Sequence, residues 1–267
     1  MIAPESDAPP PLDGHACTLD RLAGDWRIWQ LRDGHRFSAD DMLTAWLAAE
    51  TAPHARRLLD LGAGIGSVGL MTLWRMAPEA TLVMVEAQDV SHRLARRTLA
   101  TNGLEGRVTP RLGDLRDPAS VPEADAFDLV TGSPPYIPLG KGHVSPHPQR
   151  AACRMELRGT IADYARTAAR AMRPDGWFVC CFAAGDPRAE AGLSDAGLHV
   201  AVRQDVVFRP GQAPTIALFA CRRTPCDRED RPAFHIRGPD RDWTDAYLAV
   251  REAMGTVMDR ARWAGGR

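Results

Sequence analysis

The sequence predicts an α/β fold: a doubly wound, mostly parallel, seven-stranded sheet whose last strand runs antiparallel. Three observations carry this. After Pro53, short apolar runs alternate with segments of helical period, the pattern of strands joined by crossover helices. A glycine-rich turn, DLGAGIGSVG (Asp60 to Gly69), joins the first of those strands to its helix. The last two apolar stretches, HVAVRQDVVF and TIALFACR, follow each other across Pro210-Gly211 with no helix between, so they pair antiparallel at the sheet edge.

In chain order, residues 1–14 are rich in Pro, Asp and Ala and read as a disordered arm. Residues 15–52 form an N-terminal extension. WRIWQL and HRFS, separated by Arg32-Asp33-Gly34, are expected to make a hairpin, and SADDMLTAWLAAE a helix capped by Ser38. The core spans 53–223, with strands at RRLLDL, TLVMVE, RVTPRLGD, FDLVTGS, WFVCCFAA and the final pair. Its helices are SVGLMTLWRM, DVSHRLARRTLATNG, IADYARTAARAM and PRAEAGLSDAG. Over 224–267, CDREDRPAFHIRGPDRD is polar and reads as an irregular excursion, and DWTDAYLAVREAMGTVMDRARW as a terminal helix.

Composition narrows the function classes. A net charge of −1 over 267 residues gives no whole-chain nucleic-acid signal, so any such site must be a local patch. The start has no apolar run after a basic region, and no stretch approaches the roughly 20 apolar residues of a membrane helix. The six cysteines include no C-x-x-C pair, which argues against zinc and suits a reducing cytoplasm. Cys180 and Cys181, inside an apolar run, read as core residues.

The glycine turn allows a ligand close to the backbone and adds the free N–H groups of a helix start. Gly64-x-Gly66-x-x-Gly69 also fits a dinucleotide fingerprint, weak evidence alone. Glu86 ends the second strand, where an acid accepts hydrogen bonds from ribose hydroxyls. Asp60 would repel a diphosphate but suits the cationic amino-acid end of S-adenosylmethionine. Asp114, after the third strand, is either an acceptor for an adenine amine or simply a turn residue.

TGSPPYIPLG follows the strand FDLV. Two prolines there remove two backbone donors and lock two φ angles, so the ladder stops and the chain is held rigid. The Ser133 hydroxyl and the Pro134 carbonyl are acceptors for the two hydrogens of a planar amine. Pro135 keeps the carbonyl aimed, and Tyr136 offers a ring for stacking a base.

Asp60, Gly62, Gly64 and Gly66 resemble the acid-x-Gly-x-Gly-x-Gly signature of the Rossmann-like S-adenosylmethionine-dependent methyltransferases. Ser133-Pro134-Pro135-Tyr136 resembles the Asn/Asp/Ser-Pro-Pro-Tyr motif of those that methylate planar amines. GHRFSADD and the loop ending in Arg154-Met155-Glu156 resemble the bacterial valine-tRNA adenine-N6 methyltransferases, over roughly Gly14 to Arg223. The likeness implies cofactor binding by Arg36, Phe37, Asp40, Asp60, Gly62, Ala63, Gly64, Gly66, Glu86, Ala87, Asp114, Leu115 and Ser133. It implies catalysis by Ser133 to Tyr136, and substrate contacts from Lys141, Arg150 and Arg154. The alternative for Phe37 is helix-entry packing, and for the Lys141–Arg158 loop a solvated surface. The expected partner is a nucleic acid, a tRNA or other structured RNA, and the protein is expected to act in the cytoplasm, away from membranes, as a monomer or weak homodimer with no metal. Ser133 departs from the Asn usual in the tRNA family. A glutamine-amide protein methyltransferase, a DNA amino-methyltransferase and a non-catalytic cofactor-binding module stay open as alternatives.

Overall fold

The computed structural model describes residues 9–138, 140 and 145–257. β1 (Cys17–Ala23) and β2 (Trp26–Leu31) pair antiparallel as a separate two-stranded sheet. WRIWQL is therefore a strand, but its partner lies upstream and not in HRFS. Arg32 N–H still donates to the Ala16 carbonyl (2.8 Å) and Gly34 N–H turns back to Leu31 (3.3 Å), and beyond them side chains take over. His35 N–H donates to Gln149 Oε1 (3.1 Å) and Phe37 N–H to Gln30 Oε1 (2.9 Å). The chain then enters α1 (Ala39–Thr51), where Ser38 and Asp41 form a capping box.

The main sheet has eight strands: β3 (Arg57–Leu61), β4 (Thr81–Glu86), β5 (Val108–Leu112), β6 (Phe127–Gly132), β7 (Met172–Ala183), β8 (His199–Val207), β9 (Ile216–Arg222) and β10 (Glu229–His235). Their order is β10-β8-β9-β7-β6-β3-β4-β5. Only β9 runs against its neighbours β7 and β8. The helices α2 (Ser67–Arg75), α3 (Asp89–Asn102), α4 (Pro148–Arg154), α5 (Ile161–Ala171), α6 (Arg188–Asp195) and α7 (Asp245–Ala253) complete the described elements.

The seven-stranded expectation falls one strand short, because the stretch read as an irregular excursion contains β10. It pairs in parallel with β8, with a register shift between Arg231 and Phe234 that accommodates Pro232. An edge strand needs only one partner, so its polar composition hid it. α7 is shorter than the expected terminal helix. It ends before Gly255, whose φ of +62° breaks the helix, and Gly24 N–H donates to the Gly255 carbonyl at 3.0 Å. α4 lies in what was read as loop; Pro148 at its first turn has the φ a helix start requires. The arm is anchored from Pro9 onward: Leu12 is buried, and Arg97 donates to the Pro10 and Pro11 carbonyls.

Both faces of the sheet are covered, which is why its strands read as continuous apolar runs. On one face Leu58, Leu82, Met84, Val179, Cys181 and Leu218 pack with α1, α2, α3 and the hairpin. On the other, Leu59, Leu61, Val85, Val130, Phe178, Cys180 and Phe219 pack with α5 and α6. Cys180 and Cys181 are thus buried on opposite faces. Leu61 pairs with Gly132 and Glu86 with Leu112, so β3, β4, β5 and β6 end along one edge. The chain order reverses beside β3, and the crevice at such a switch point is where folds of this kind bind ligands.

Candidate active site

The crevice holds a cavity lined from four directions. Asp60, Gly62, Ala63, Gly64, Ile65, Ser67 and Val68 come from the end of β3 and the start of α2. Val85 to Gln88 come from the end of β4, and Gly113 and Leu115 from beyond β5. Ser133 and Pro135 lie past β6, while His35, Asp41, Cys153, Arg158 and Tyr164 close the remaining sides. The glycine turn and the clamp therefore face the same space through Ser133 and Pro135, while Pro134 and Tyr136 stand outside the lining.

Gly62 is required twice over. Its φ is +59°, and a Cβ there would collide with the Tyr164 hydroxyl. Tyr164, from α5, also lies 2.9 Å from where a Gly132 Cβ would sit. One ring thus holds the glycine turn against the strand end that launches the clamp. At Gly64 a Cβ would meet no protein atom within 4 Å, so the requirement is its φ of +58° alone.

Three buried carboxylates line the cavity. Asp60 is 1% exposed; its oxygens accept from Thr131 Oγ1 (2.7 Å) and Gly69 N–H (3.0 Å). Burial raises its pKa to about 6, against those hydrogen bonds, and nearby Glu86 adds to the rise. Glu86, 7% exposed, accepts from Gly64 N–H (2.8 Å) and Gln88 N–H (2.6 Å), and burial pushes its pKa up. Asp41, 9% exposed, accepts from Ser38 N–H (2.9 Å). Burial, then the adjacent Asp40 carboxylate, raise its pKa to about 8. Among the described residues none of the three forms an ion pair. Buried acids without a cation are costly. The set fits the ammonium and sulfonium charges of S-adenosylmethionine and opposes a diphosphate.

The clamp is ordered by its surroundings. Cys181 Sγ donates to Ser133 Oγ at 3.6 Å, which uses one lone pair and leaves the second. Pro134 and Pro135 are buried. The half-buried Tyr136 ring meets Phe182 edge-on, centroids 6.2 Å apart, and the Tyr136 carbonyl accepts from Arg188 at 3.2 Å. Arg188 also holds Glu156 (2.6 Å) and lies over the Phe182 ring.

Of the expected cofactor residues, Asp60, Gly62, Ala63, Gly64, Glu86, Ala87, Leu115 and Ser133 line the cavity. Gly66 stands just behind it as the α2 cap, φ +93°. The structure moves four others away from the lining. Arg36 pairs with Asp20 (2.9 Å) on the hairpin, and Phe37 packs into the core. Asp40 accepts the Ser38 hydroxyl, and the next residue, Asp41, faces the cavity in its place. Helical rotation explains this: the third helical position turns inward as its side chain closes the capping box. Asp114 is held by Arg116 (2.6 Å), which lowers its pKa, while its neighbours Gly113 and Leu115 reach the lining. Arg150 donates to the Asp33 and Gly34 carbonyls and braces the segment before α1. Arg154 is exposed on the last turn of α4. Lys141 lies outside the described residues.

Sequence reasoning missed Asp41, Ser67, His35, Cys153 and Tyr164, and read Arg158 only as a loop cation able to contact phosphates. Asp41 had a signal, an acid three residues after a capping serine. Burial depresses the His35 pKa and pushes the Cys153 thiol up to about 12, so both present neutral groups to the cavity.

The sequence profile of the Methyltransferase small domain matches residues 37–144. A tRNA1(Val) (adenine(37)-N6)-methyltransferase from Citrobacter koseri is 30% identical over 224 residues, covering 81% of this chain and 86% of that protein. Its namesake from Cronobacter sakazakii is 28% identical over 221 residues, with the same coverage of each chain. Among solved structures, a predicted O-methyltransferase from Agrobacterium tumefaciens superposes with a TM-score of 0.61 at 20% identity, covering 83% of this chain and 99% of that one. A ribosomal protein L11 methylase from Lactobacillus delbrueckii subsp. bulgaricus gives 0.50 at 16% identity, covering 73% and 81%. The fold and cavity are those of a Rossmann-like methyltransferase that uses S-adenosylmethionine. Within that class, the chain belongs to the same family as the two enterobacterial relatives.

Proposed function

We propose that this enzyme methylates the N6 amine of an adenine in RNA, with tRNA as the substrate. The observation that carries the reading is the shared cavity: Ser133 and Pro135 line the same space as Asp60, Glu86 and the glycine turn. The relatives' names give the substrate class.

When bound, S-adenosylmethionine supplies an electrophilic methyl group on a positively charged sulfur. Gly62 and Gly64 would let it approach the backbone, Glu86 would accept from its ribose hydroxyls, and Asp41 and Asp60 would offset its charge. Ser133 Oγ and the Pro134 carbonyl accept the two hydrogens of the target amine. That draws the nitrogen out of conjugation and presents its lone pair to the methyl group. Tyr136 stacks on the base, an interaction worth about 1–3 kcal/mol. Alignment is the larger effect, since holding two reactants in line lowers a barrier by roughly 7–11 kcal/mol. As the N–CH3 bond forms, the S–CH3 bond would break and its electron pair would stay on sulfur, leaving neutral S-adenosylhomocysteine; the methylated nitrogen would then lose its extra proton past these acceptors to water. Arg154, exposed at the end of α4, serves as a phosphate contact, and Arg150 holds the segment that carries His35.

The test is incubation of the purified protein with labelled cofactor and total tRNA lacking its own modifications. Digestion should release labelled N6-methyladenosine. Label appearing only in protein would overturn the RNA reading in favour of an amide substrate.

A further inference from the structure

The carboxyl edge of the sheet carries a second feature that the methylation site does not use. A groove there is lined by Arg209, Pro210 and Gln212 from the β8–β9 turn and by Arg237, Pro239 and Arg241 from the turn after β10. All three arginines are exposed, and none forms an ion pair among the described residues. The turns are built structures. Gln212 N–H donates to the Arg209 carbonyl, Gly238 N–H to Asp242, and Ile236 N–H to Val207, tying β10 to β8. Arg237 Nη1 donates to the Arg241 carbonyl at 2.6 Å, which fixes one guanidinium at the groove wall. The acids of the same turn do not line the groove: Asp240 Oδ1 accepts from Asp242 N–H at 3.0 Å.

We infer that this groove is a second phosphate-binding site, which grips the backbone of the RNA whose adenine enters the proline clamp. The inference rests on the RNA reading above. Topology supplies the placement. β8 and β10 are parallel to β6, so their turns emerge at the same edge as Ser133. Three strand spacings separate β6 from β8 and four separate it from β10, on the order of 14–19 Å. That is a few nucleotides along a strand. The lining supplies the chemistry. Guanidinium groups match phosphate oxygens two at a time, and the groove offers an amide and prolines but no aliphatic side chain to attract a protein's apolar anchor. Contacts of this kind set the register of a nucleic acid and read no sequence. They also give a chain of net charge −1 a local means of holding a polyanion, three exposed arginines around one groove.

The experiment uses full-length protein carrying Arg209→Gln together with Arg241→Asn. Asn tolerates the φ of +68° at position 241, and Arg237 is left to hold the turn. Arg56→Gln, at the opposite edge before β3, is the charge control. Binding of unmodified tRNA is measured across a salt series, with methylation kinetics and cofactor calorimetry alongside. The double variant should bind RNA on the order of ten-fold more weakly, with a log–log salt slope shallower by about one to two. KM for RNA should rise while kcat and cofactor affinity hold, and Arg56→Gln should match wild type. A slope and KM unchanged in the double variant, or changed equally in the control, would overturn the inference while leaving the substrate reading intact. Loss of an acidic protein partner with RNA binding unaltered would also overturn it. Failure of the wild type to bind or methylate RNA would remove the substrate reading and this inference together.

Discussion

Carboxylates of this protein live in two opposite environments. Around the outside, acids are met by arginines: Glu123 by Arg111 (2.6 Å), Glu190 by Arg203 and Arg228 (2.7 and 2.8 Å), and Asp128 by Arg173 (3.1 Å). The arginine hydrogen bonds lower the pKa of Glu123 and Glu190, and for Asp128 the Arg56 and Arg57 amides with Arg173 outweigh burial. In the cavity, Asp41, Asp60 and Glu86 form no ion pair among the described residues, and burial raises all three pKa values, at Glu86 against the charge of Arg158. The outer acids are matched within the chain. The inner ones are matched only when a cationic ligand arrives, and that difference marks the binding site.

The comparison breaks most visibly at the clamp. Ser133→Ala removes an acceptor for the amine and should lower kcat on the order of 100-fold, with cofactor affinity little changed by calorimetry. Tyr136→Ala should lower kcat/KM for RNA by roughly ten- to a hundred-fold through lost stacking. Gly62→Ala forces a side chain into the Tyr164 hydroxyl at a positive φ; denaturant unfolding should show a loss of about 2–4 kcal/mol.

pH sharpens the contrast. In ligand-free protein, Asp60 and Asp41 titrate above the ordinary value of 3.8, at about 6 and about 8. Their stabilising contribution is complete below pH 3.8 and is lost as pH rises through 6 and then 8. The outer acids run the other way, stabilising above their ordinary pKa and losing that contribution as pH falls through the lowered one. A cationic ligand favours the ionised form, so cofactor affinity should fall as pH drops through 8 and again through 6. The smallest effect belongs to the surface. Arg56 and Glu79 form an exposed pair at 3.5 Å, and Arg56→Ala should leave the unfolding midpoint unchanged within error.

Much of this was legible in the sequence because it depends on local chemistry. Strand and helix periodicity, the glycine turn and Ser-Pro-Pro-Tyr need no tertiary knowledge. What stayed hidden depends on partners distant in the chain. WRIWQL pairs with CTLDRLA upstream and not with HRFS, where the Gln149 and Gln30 side chains take the donors of His35 and Phe37 in turn. β10 escaped notice because an edge strand needs no alternating apolar face. Asp41 and not Asp40 faces the cavity because a helix start turns its third residue inward, a rotation that adjacent acids do not distinguish. Tyr164 emerged only when α5 was laid on Gly62 and Gly132.

The most direct test of the central claim is the proton balance of cofactor binding, from calorimetric titration of S-adenosylmethionine at pH 7 in buffers of different ionisation heat. With Asp41 titrating at about 8 in the free protein, binding should release close to one proton per ligand. Binding with no proton exchange, or with proton uptake, would contradict the account that these acids wait in the cavity for a cation.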